Sequence, residues 1–116
     1  EADHADYAAS KSALSQGFLL SLKNEIVRLA PGDRINAVCP GWTATPMAAE
    51  ALADPANVAR QLATVPLRRV ATPEDVAHAI VWLCSPLQSR HITGVSLPIA
   101  GGMEGRLLNP PNTGGE

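Results

Sequence analysis

Tyr7 and Lys11 are the residues whose types and spacing first suggest chemistry. They lie four positions apart at the start of a helical pattern, so their side chains share one helix face. An ammonium group about 4 Å from a phenol favours the phenolate by on the order of 4 kcal/mol at an effective dielectric of ~20. A helix N-terminus adds a smaller term of the same sign. The pair therefore fits a general acid/base, although a half-buried tyrosine beside a solvated lysine is the commoner meaning of a lone YxxxK spacing.

The histidines and cysteines do not form a second candidate site. His4, His78 and His91 are scattered along the chain, and Cys39 and Cys84 are far apart with no CxxC or CxxH spacing. Structural zinc sites need about four clustered ligands, and disulfide-rich secreted domains need more cysteines. The sequence therefore predicts no metal site and favours two reduced thiols in a cytoplasmic protein.

Length and charge exclude several classes of protein. The chain has 116 residues, which allows one domain at most. Its 9 basic and 11 acidic residues give a net charge of −2, and this balance argues against a nucleic-acid module. The sequence contains neither an apolar run of ~18 residues nor a charged and then apolar leader, so no membrane span or signal peptide is predicted.

One long helix is predicted over residues 7–30, because apolar residues recur every three or four positions and Pro-Gly follows at residues 31–32. The stripe predicted to be buried consists of Leu14, Phe18, Leu22, Ile26 and Leu29. Leu19, Leu20 and Val27 widen the apolar surface beyond one face. This helix is therefore expected to pack on two sides, against a core and against a partner subunit.

The remaining elements alternate between strand and helix. They are predicted over residues 34–39 (strand), 47–52 and 57–62 (short helices), 73–85 (helix) and 92–99 (strand). Thr72 as a cap and Pro73 at the first helical position make a strong helix start. The order helix, tight turn, strand belongs to an α/β architecture with a parallel sheet. From Gly101 onward we expect a turn and then a mobile tail.

Four motifs along the chain carry a family resemblance. They are YAASKSAL at residues 7–14, RINAVCPGWTATPM at 34–47, PEDVA at 73–77, and ITG leading to GG at 92–102. In order and approximate spacing they resemble the short-chain dehydrogenase/reductase family. The resemblance implies that residues 1–102 are the C-terminal part of a Rossmann-type doubly wound parallel sheet, followed by a turn and tail over 103–116.

The resemblance also implies an activity. A protein of this kind transfers a hydride between NAD or NADP and a small-molecule carbonyl or alcohol. Tyr7 would give a proton to the carbonyl oxygen or take one from the alcohol. Lys11 would hydrogen-bond the nicotinamide ribose and stabilise the phenolate.

The loop after the first strand would contact both cofactor and substrate. Backbone atoms of the Pro40–Gly41 turn and of Thr43 would meet the nicotinamide, and Thr45 would reach the cofactor phosphates. Such a place is sensible, because ligands of open α/β sheets bind beyond the carboxyl ends of strands. Thr45 has an equally good interpretation as a helix cap. Trp42 and Met47 flank this loop and are candidates for the substrate pocket, although helix packing accounts equally well for Met47.

Several parts of the family pattern have no counterpart in these residues: the glycine-rich turn, the residue that selects the cofactor, the Asn-rich segment and the catalytic serine. The first residue is Glu1 rather than Met. We therefore expect the C-terminal half of a reductase, inactive as an isolated chain. A homo-dimer or tetramer is expected to form through the helices over 7–30 and 73–85.

Two other interpretations remain open from the sequence. In the first, the chain is a non-catalytic truncated paralogue that associates through its long helix and is indifferent to Tyr7→Phe. In the second, it is a small helical binding domain unrelated to oxidoreductases, which leaves the Pro40–Gly41 loop unexplained.

Overall fold

The computed structural model describes residues 3–103, which form two compact units. Within the described range, the first unit comprises residues 3–38 and 80–97, and the second comprises 39–79 and 98–103. The elements in chain order are α1 (Ala5–Ser12), a π-helical turn (Ala13–Phe18), α2 (Leu19–Leu29), β1 (Ala37–Pro40), a 3₁₀ turn (Pro46–Ala48), α3 (Ala49–Ala53), α4 (Pro55–Leu62), α5 (Pro73–Cys84) and β2 (Ser96–Ile99).

The strands β1 and β2 form a two-stranded parallel sheet. The Ala37 N–H donates to the Val95 carbonyl over 2.9 Å, and the Gly41 N–H donates to the Ile99 carbonyl over 3.1 Å. Donors and acceptors therefore advance along both strands in the same direction, as parallel pairing requires. The predicted α/β class with a parallel sheet is confirmed.

The long helix of the first unit is present but is not a uniform α-helix. Between α1 and α2, the Leu19 N–H donates to the Leu14 carbonyl five residues earlier, which is the π-helical pattern. A π-helical turn holds one more residue than an α-helical turn of the same extent. It therefore rotates everything before it by about 100° relative to everything after it. The faces of α1 and α2 cannot be read from one continuous α-helical period.

The predicted buried stripe of this helix is wrong in three of its five members. The exposed members are Leu14, Phe18 and Leu29, while Leu22 and Ile26 are half-buried. The buried face is centred on Leu19, which is only 3% exposed. On this face the Lys23 side chain lies so close to Gly94 that a Cβ there would collide with it, and the Ser96 hydroxyl donates to the Ser15 carbonyl over 3.0 Å. Phe18 is one residue, or about 100°, away from this direction and stays in solvent.

Both strands begin later than predicted, β1 at Ala37 and β2 at Ser96. The residues before β1 use their side chains to hold the segment before β2. The Arg34 guanidinium donates to the Ile92 carbonyl over 3.2 Å, and the Asn36 amide donates to the same oxygen over 3.0 Å. One backbone bond joins the same segments, from the Gly94 N–H to the Ile35 carbonyl over 2.7 Å, and the side-chain bonds supplement it.

The short helices of the second unit lie close to their predicted positions. α3 follows the 3₁₀ turn, and α4 begins after Asp54, whose carboxylate accepts the Ala56 N–H over 2.9 Å. Pro55 occupies the first helical position, where its missing N–H costs nothing. Val65, 3% exposed, is the buried apolar residue of this unit. α5 begins at Pro73 as predicted.

Of the predicted C-terminal turn and tail, the described residues include the turn. Gly101 and Gly102 form the expected turn with φ of +60° and +90°. The predicted tail over 103–116 falls, after Met103, outside the described residues. Within residues 3–103, the helices are all too short or too polar to cross a membrane.

Candidate active site

The structure brings the Tyr7 and Lys11 side chains together in the first unit. The Lys11 ammonium lies over the Tyr7 ring, with Nζ 5.3 Å from the ring centroid. This is a cation–π distance, in which the ammonium is attracted to the negative face of the ring. Tyr7 is 59% exposed, so its hydroxyl group belongs to an open surface rather than to a core. The i, i+4 spacing on α1 therefore gives the predicted juxtaposition.

Serine hydroxyls bind the backbone carbonyls of this pair. The Ser10 hydroxyl donates to the Tyr7 carbonyl over 2.8 Å, and the Ser15 hydroxyl donates to the Lys11 carbonyl over 3.0 Å. A hydroxyl that bonds the carbonyl four residues back competes with the helical amide and bends helices. Ser15 lies inside the π-helical turn, so its bond coincides with the change in helical period. The His4 and Tyr7 rings are nearly perpendicular, with their centroids 6.4 Å apart.

Gly41 is held tightly at the end of β1 in the second unit. Its N–H donates to the Ile99 carbonyl over 3.1 Å, and its carbonyl accepts the Thr43 hydroxyl over 3.0 Å. A Cβ at this position would lie 2.9 Å from the Ala100 Cα, closer than van der Waals contact allows. Only glycine fits here, and both of its peptide groups are used internally.

The backbone of Thr43 is oriented by an isolated parallel bridge to Ala71. The Ala71 N–H donates to the Trp42 carbonyl over 2.9 Å, and the Ala44 N–H donates to the Ala71 carbonyl over 2.8 Å. In a parallel bridge the residues on either side of the central one make the bonds, so the N–H and carbonyl of Thr43 itself point away from Ala71. They present one donor and one acceptor side by side.

The other loop residues differ in how far they are covered. The Thr45 side chain makes no capping bond, and the 3₁₀ turn is closed instead by the Ala48 N–H and the Thr45 carbonyl at 2.9 Å. The cap interpretation of the Thr45 side chain is therefore wrong. Met47 is 95% exposed, which excludes helix packing as its role within this structure. Trp42 is half-buried and lines a cavity of about 220 Å³, while Pro40 is exposed.

An ion pair beside this loop was not predicted as part of the site. Arg69 binds Asp75 through both nitrogens of its fork, at 2.6 and 3.1 Å. The Asp75 carboxylate also accepts the Thr72 N–H over 2.8 Å, and the Thr72 hydroxyl accepts the Asp75 N–H over 3.3 Å. This reciprocal arrangement is a capping box. Its signal in the sequence is the spacing of Thr72 and Asp75 directly before an apolar run.

Asp75 gives this region a defined pH dependence. The bond from Arg69, followed by the bond from the Thr72 N–H, holds the pKa of Asp75 well below its usual range. A carboxyl whose folded pKa is depressed contributes stability above its unfolded value near ~3.9 and loses it as the pH falls towards the folded value. We expect the Tm difference between the unmodified chain and Asp75→Asn to be full at neutral pH and to shrink below about pH 4. A Tm difference that stays constant through acid pH would contradict this assignment.

The described part of the chain contains no cluster of side chains that could bind a metal ion. Between residues 3 and 103, no three His, Cys, Asp or Glu side chains gather closely enough to hold an ion. Cys39 is half-buried and Cys84 is exposed, and both are free thiols.

A family model described as enoyl-(acyl carrier protein) reductase matches residues 1–104. The chain belongs to the short-chain dehydrogenase/reductase family. One similar protein in this family is 3beta-hydroxysteroid dehydrogenase 1 of Eggerthella lenta, 40% identical over 99 residues. That match covers 85% of this chain and 36% of the relative.

Solved structures of similar proteins confirm the Rossmann-type fold class. A putative 2-deoxy-D-gluconate 3-dehydrogenase from Agrobacterium tumefaciens with bound NADP superposes with a TM-score of 0.77 at 32% identity, covering 86% of this chain and 39% of that one. A 3-oxoacyl-[acyl-carrier protein] reductase from Brucella melitensis gives a TM-score of 0.75 at 37% identity, covering 85% and 35%. The predicted NAD or NADP class of cofactor agrees with the family.

This chain spans little more than a third of the length of the relatives that it matches. The two groups of residues that the family resemblance implicates lie in different units. Tyr7 and Lys11 are in the first, and the loop from Pro40 to Met47 is in the second.

Proposed function

We propose that this chain provides the acid/base pair and the nicotinamide-binding loop of an NAD- or NADP-dependent oxidoreductase acting on a carbonyl or alcohol. The observation that carries the proposal is the Lys11 ammonium 5.3 Å from the centroid of the Tyr7 ring, on an open face of α1. Membership of an oxidoreductase family supports the reaction class.

Tyr7 moves the proton of the reaction. In reduction its hydroxyl gives a proton to the carbonyl oxygen, which leaves a phenolate on Tyr7. The Lys11 ammonium stabilises that phenolate because the charges are opposite and one helical turn apart. In oxidation the phenolate takes the proton from the alcohol. The bound nicotinamide supplies or accepts the hydride.

The loop of the second unit fits the amide end of a nicotinamide. A carboxamide has one oxygen acceptor and one nitrogen donor, and the Thr43 backbone presents the complementary N–H and carbonyl on one side. The Thr45 hydroxyl, which does not cap the following turn, would donate to a cofactor phosphate. Gly41 and Pro40 would shape the close approach of the backbone.

The substrate is proposed to be a small molecule with an apolar part. Trp42 presents an aromatic ring at the edge of the loop, and Met47 is almost fully exposed beside it. Large apolar side chains beside a cofactor-binding loop commonly line a ligand pocket. The free thiols of Cys39 and Cys84 fit a protein of the reducing cytoplasm.

We further propose that the chain acts as the C-terminal half of a reductase and has no activity in isolation. Two paired strands are marginal without neighbours, and the match to 3beta-hydroxysteroid dehydrogenase 1 covers only 36% of that relative. The purified 116-residue chain is expected to give no oxidation of NADH or NADPH with carbonyl substrates, whereas addition of a complementary N-terminal half is expected to restore it. Turnover by the isolated chain would contradict this prediction.

Association is the second candidate function, and exposed apolar side chains favour it. Exposed large apolar side chains include Leu14 and Phe18 in the π-helical turn, Leu29 in α2, and Val81 and Trp82 in α5. An oligomeric enzyme would bury such residues against further copies of the chain. A non-catalytic association module would form mixed oligomers with an intact homologue, and Tyr7→Phe would leave its behaviour unchanged.

A further inference from the structure

Residues 69–72 run beside the loop proposed to bind nicotinamide. Within them, Ala71 makes both bonds of the bridge, donating to the Trp42 carbonyl over 2.9 Å and accepting the Ala44 N–H over 2.8 Å. These two bonds orient the peptide groups of Thr43. Any displacement of Ala71 would therefore turn the donor and acceptor that Thr43 presents.

The Asp75 carboxylate binds the chain on both sides of Ala71. Two residues before it, the Arg69 guanidinium donates to Asp75 over 2.6 and 3.1 Å. One residue after it, the Thr72 N–H donates to Asp75 over 2.8 Å. A capping box needs only the bonds between Thr72 and Asp75, so the Arg69 fork is an addition that a helix start does not require.

We propose that Asp75 is a positioning residue for the nicotinamide-binding loop: by binding Arg69 and Thr72 together, it fixes Ala71 and, through Ala71, the backbone of Thr43. The inference rests on the proposed function, because that function gives the loop its task. Asp75, Arg69 and Ala71 line the same cavity of about 220 Å³ as Trp42, so the ion pair and the loop meet at one place.

The strength of this ion pair needs an argument, because exposed pairs usually contribute little. The Arg69 and Asp75 side chains are 56% and 31% exposed. Bidentate arginine–carboxylate geometry and membership of a network are the conditions under which such pairs matter. The first condition is met, and the Thr72 N–H gives the same carboxylate a third hydrogen bond.

Amide hydrogen exchange of the 116-residue chain tests the proposal without a cofactor. In Asp75→Ala, the Ala44 and Ala71 amides are expected to exchange about tenfold faster, because losing a charge-assisted bond releases Ala71. The Ala63 amide, which donates to the Ala59 carbonyl at the end of α4, is expected to keep its rate. Asp75→Asn keeps an oxygen for the Thr72 N–H but loses the charge that binds Arg69, so an intermediate rate is expected.

Asp54→Ala is the matched control. It removes the same carboxylate from the start of a helix in the same unit, where Asp54 accepts the Ala56 N–H over 2.9 Å. It is expected to speed exchange at the Val58 amide and to leave Ala44 and Ala71 unchanged. Equal acceleration at every amide in Asp75→Ala would mean a general loss of stability and would overturn the proposal. Unchanged rates at Ala44 and Ala71 would overturn it as well.

The link to the cofactor has its own measurement. In a catalytically active protein that contains this chain, Asp75→Ala is expected to raise KM for the nicotinamide cofactor about tenfold with a smaller effect on kcat, and Asp54→Ala is expected to change neither. An unchanged KM would overturn the assignment to cofactor binding. Failure of the proposed function itself would appear as an active Tyr7→Phe variant, which has no bearing on the exchange of Ala44 and Ala71.

Discussion

A Tyr7→Phe substitution in a catalytically active protein containing this chain will lower kcat by at least about 10²-fold, the usual loss when a general acid/base is removed. The change deletes one hydroxyl and keeps the ring over which the Lys11 ammonium lies. KM for the cofactor is expected to change little, because the hydroxyl group acts in the transition state rather than in cofactor binding. Since Tyr7 is 59% exposed, the free energy of unfolding is expected to change by less than ~0.5 kcal/mol.

Steady-state oxidation of NADH or NADPH, with thermal denaturation alongside, measures both quantities. Ser12→Ala is a suitable control because it removes a hydroxyl from an exposed position of the same helix. It is expected to retain most of the activity. If Tyr7→Phe were as active as the unmodified protein, the proposed reaction would fail and the association module would become the better account.

Features with local causes could be predicted from the sequence. The proximity of Tyr7 and Lys11 follows from their spacing on a helix, and the structure shows it. The start of α5 at Pro73 follows from a cap and a proline, both of which act within one turn. The family resemblance, which rests on four motifs in order, predicted the fold class that the comparisons confirm.

Features that depend on distant residues could not be predicted in the same way. The bridge between Thr43 and Ala71 joins segments far apart in sequence, so the loop gave no sign of what orients it. The role of Asp75 beside that loop was missed for this reason, although its capping spacing was visible. The Thr45 cap was wrong because the backbone carbonyl closes the turn without the side chain.

The error in the buried stripe lies in the choice between two neighbouring apolar faces. Phe18 and Leu19 are adjacent and both apolar, and one residue turns the helix by about 100°. Composition favours neither face, and in the structure Leu19 is buried while Phe18 and Leu29 are exposed. The π-helical turn Ala13–Phe18 precedes Leu19, so it changes the phase of α1 relative to α2, and composition carries no signal for it.

This change of phase also sets the direction of the proposed acid/base pair. Counted back from Leu19 in a continuous α-helix, Tyr7 and Lys11 would lie about 100° from the packed face. The extra residue of the π-helical turn rotates them by about that angle, onto the side of the helix that faces Gly94 and Ser96 at α2.

Insertion of one alanine after Gln16 is therefore expected to lower kcat by at least about 10²-fold in the active protein, as much as loss of the Tyr7 hydroxyl. The π-helical turn already absorbs one extra residue, so a second one turns Tyr7 and Lys11 about 100° away from their place. A displacement of about 1 Å at a catalytic group already costs on the order of 10²-fold. Circular dichroism is expected to show helix content at least as high as before, which separates a rotated helix from an unfolded one.

Gly17→Ala supplies the control for that insertion, because it changes the same turn without changing the count of residues. A Cβ at Gly17 meets nothing within 4 Å, so the substitution introduces no collision. Alanine is favoured over glycine inside a helix by roughly 0.5–1 kcal/mol, and this variant is expected to be active and slightly more stable. Full activity after the insertion would show that the count of residues in the π-helical turn does not determine the direction of Tyr7 and Lys11.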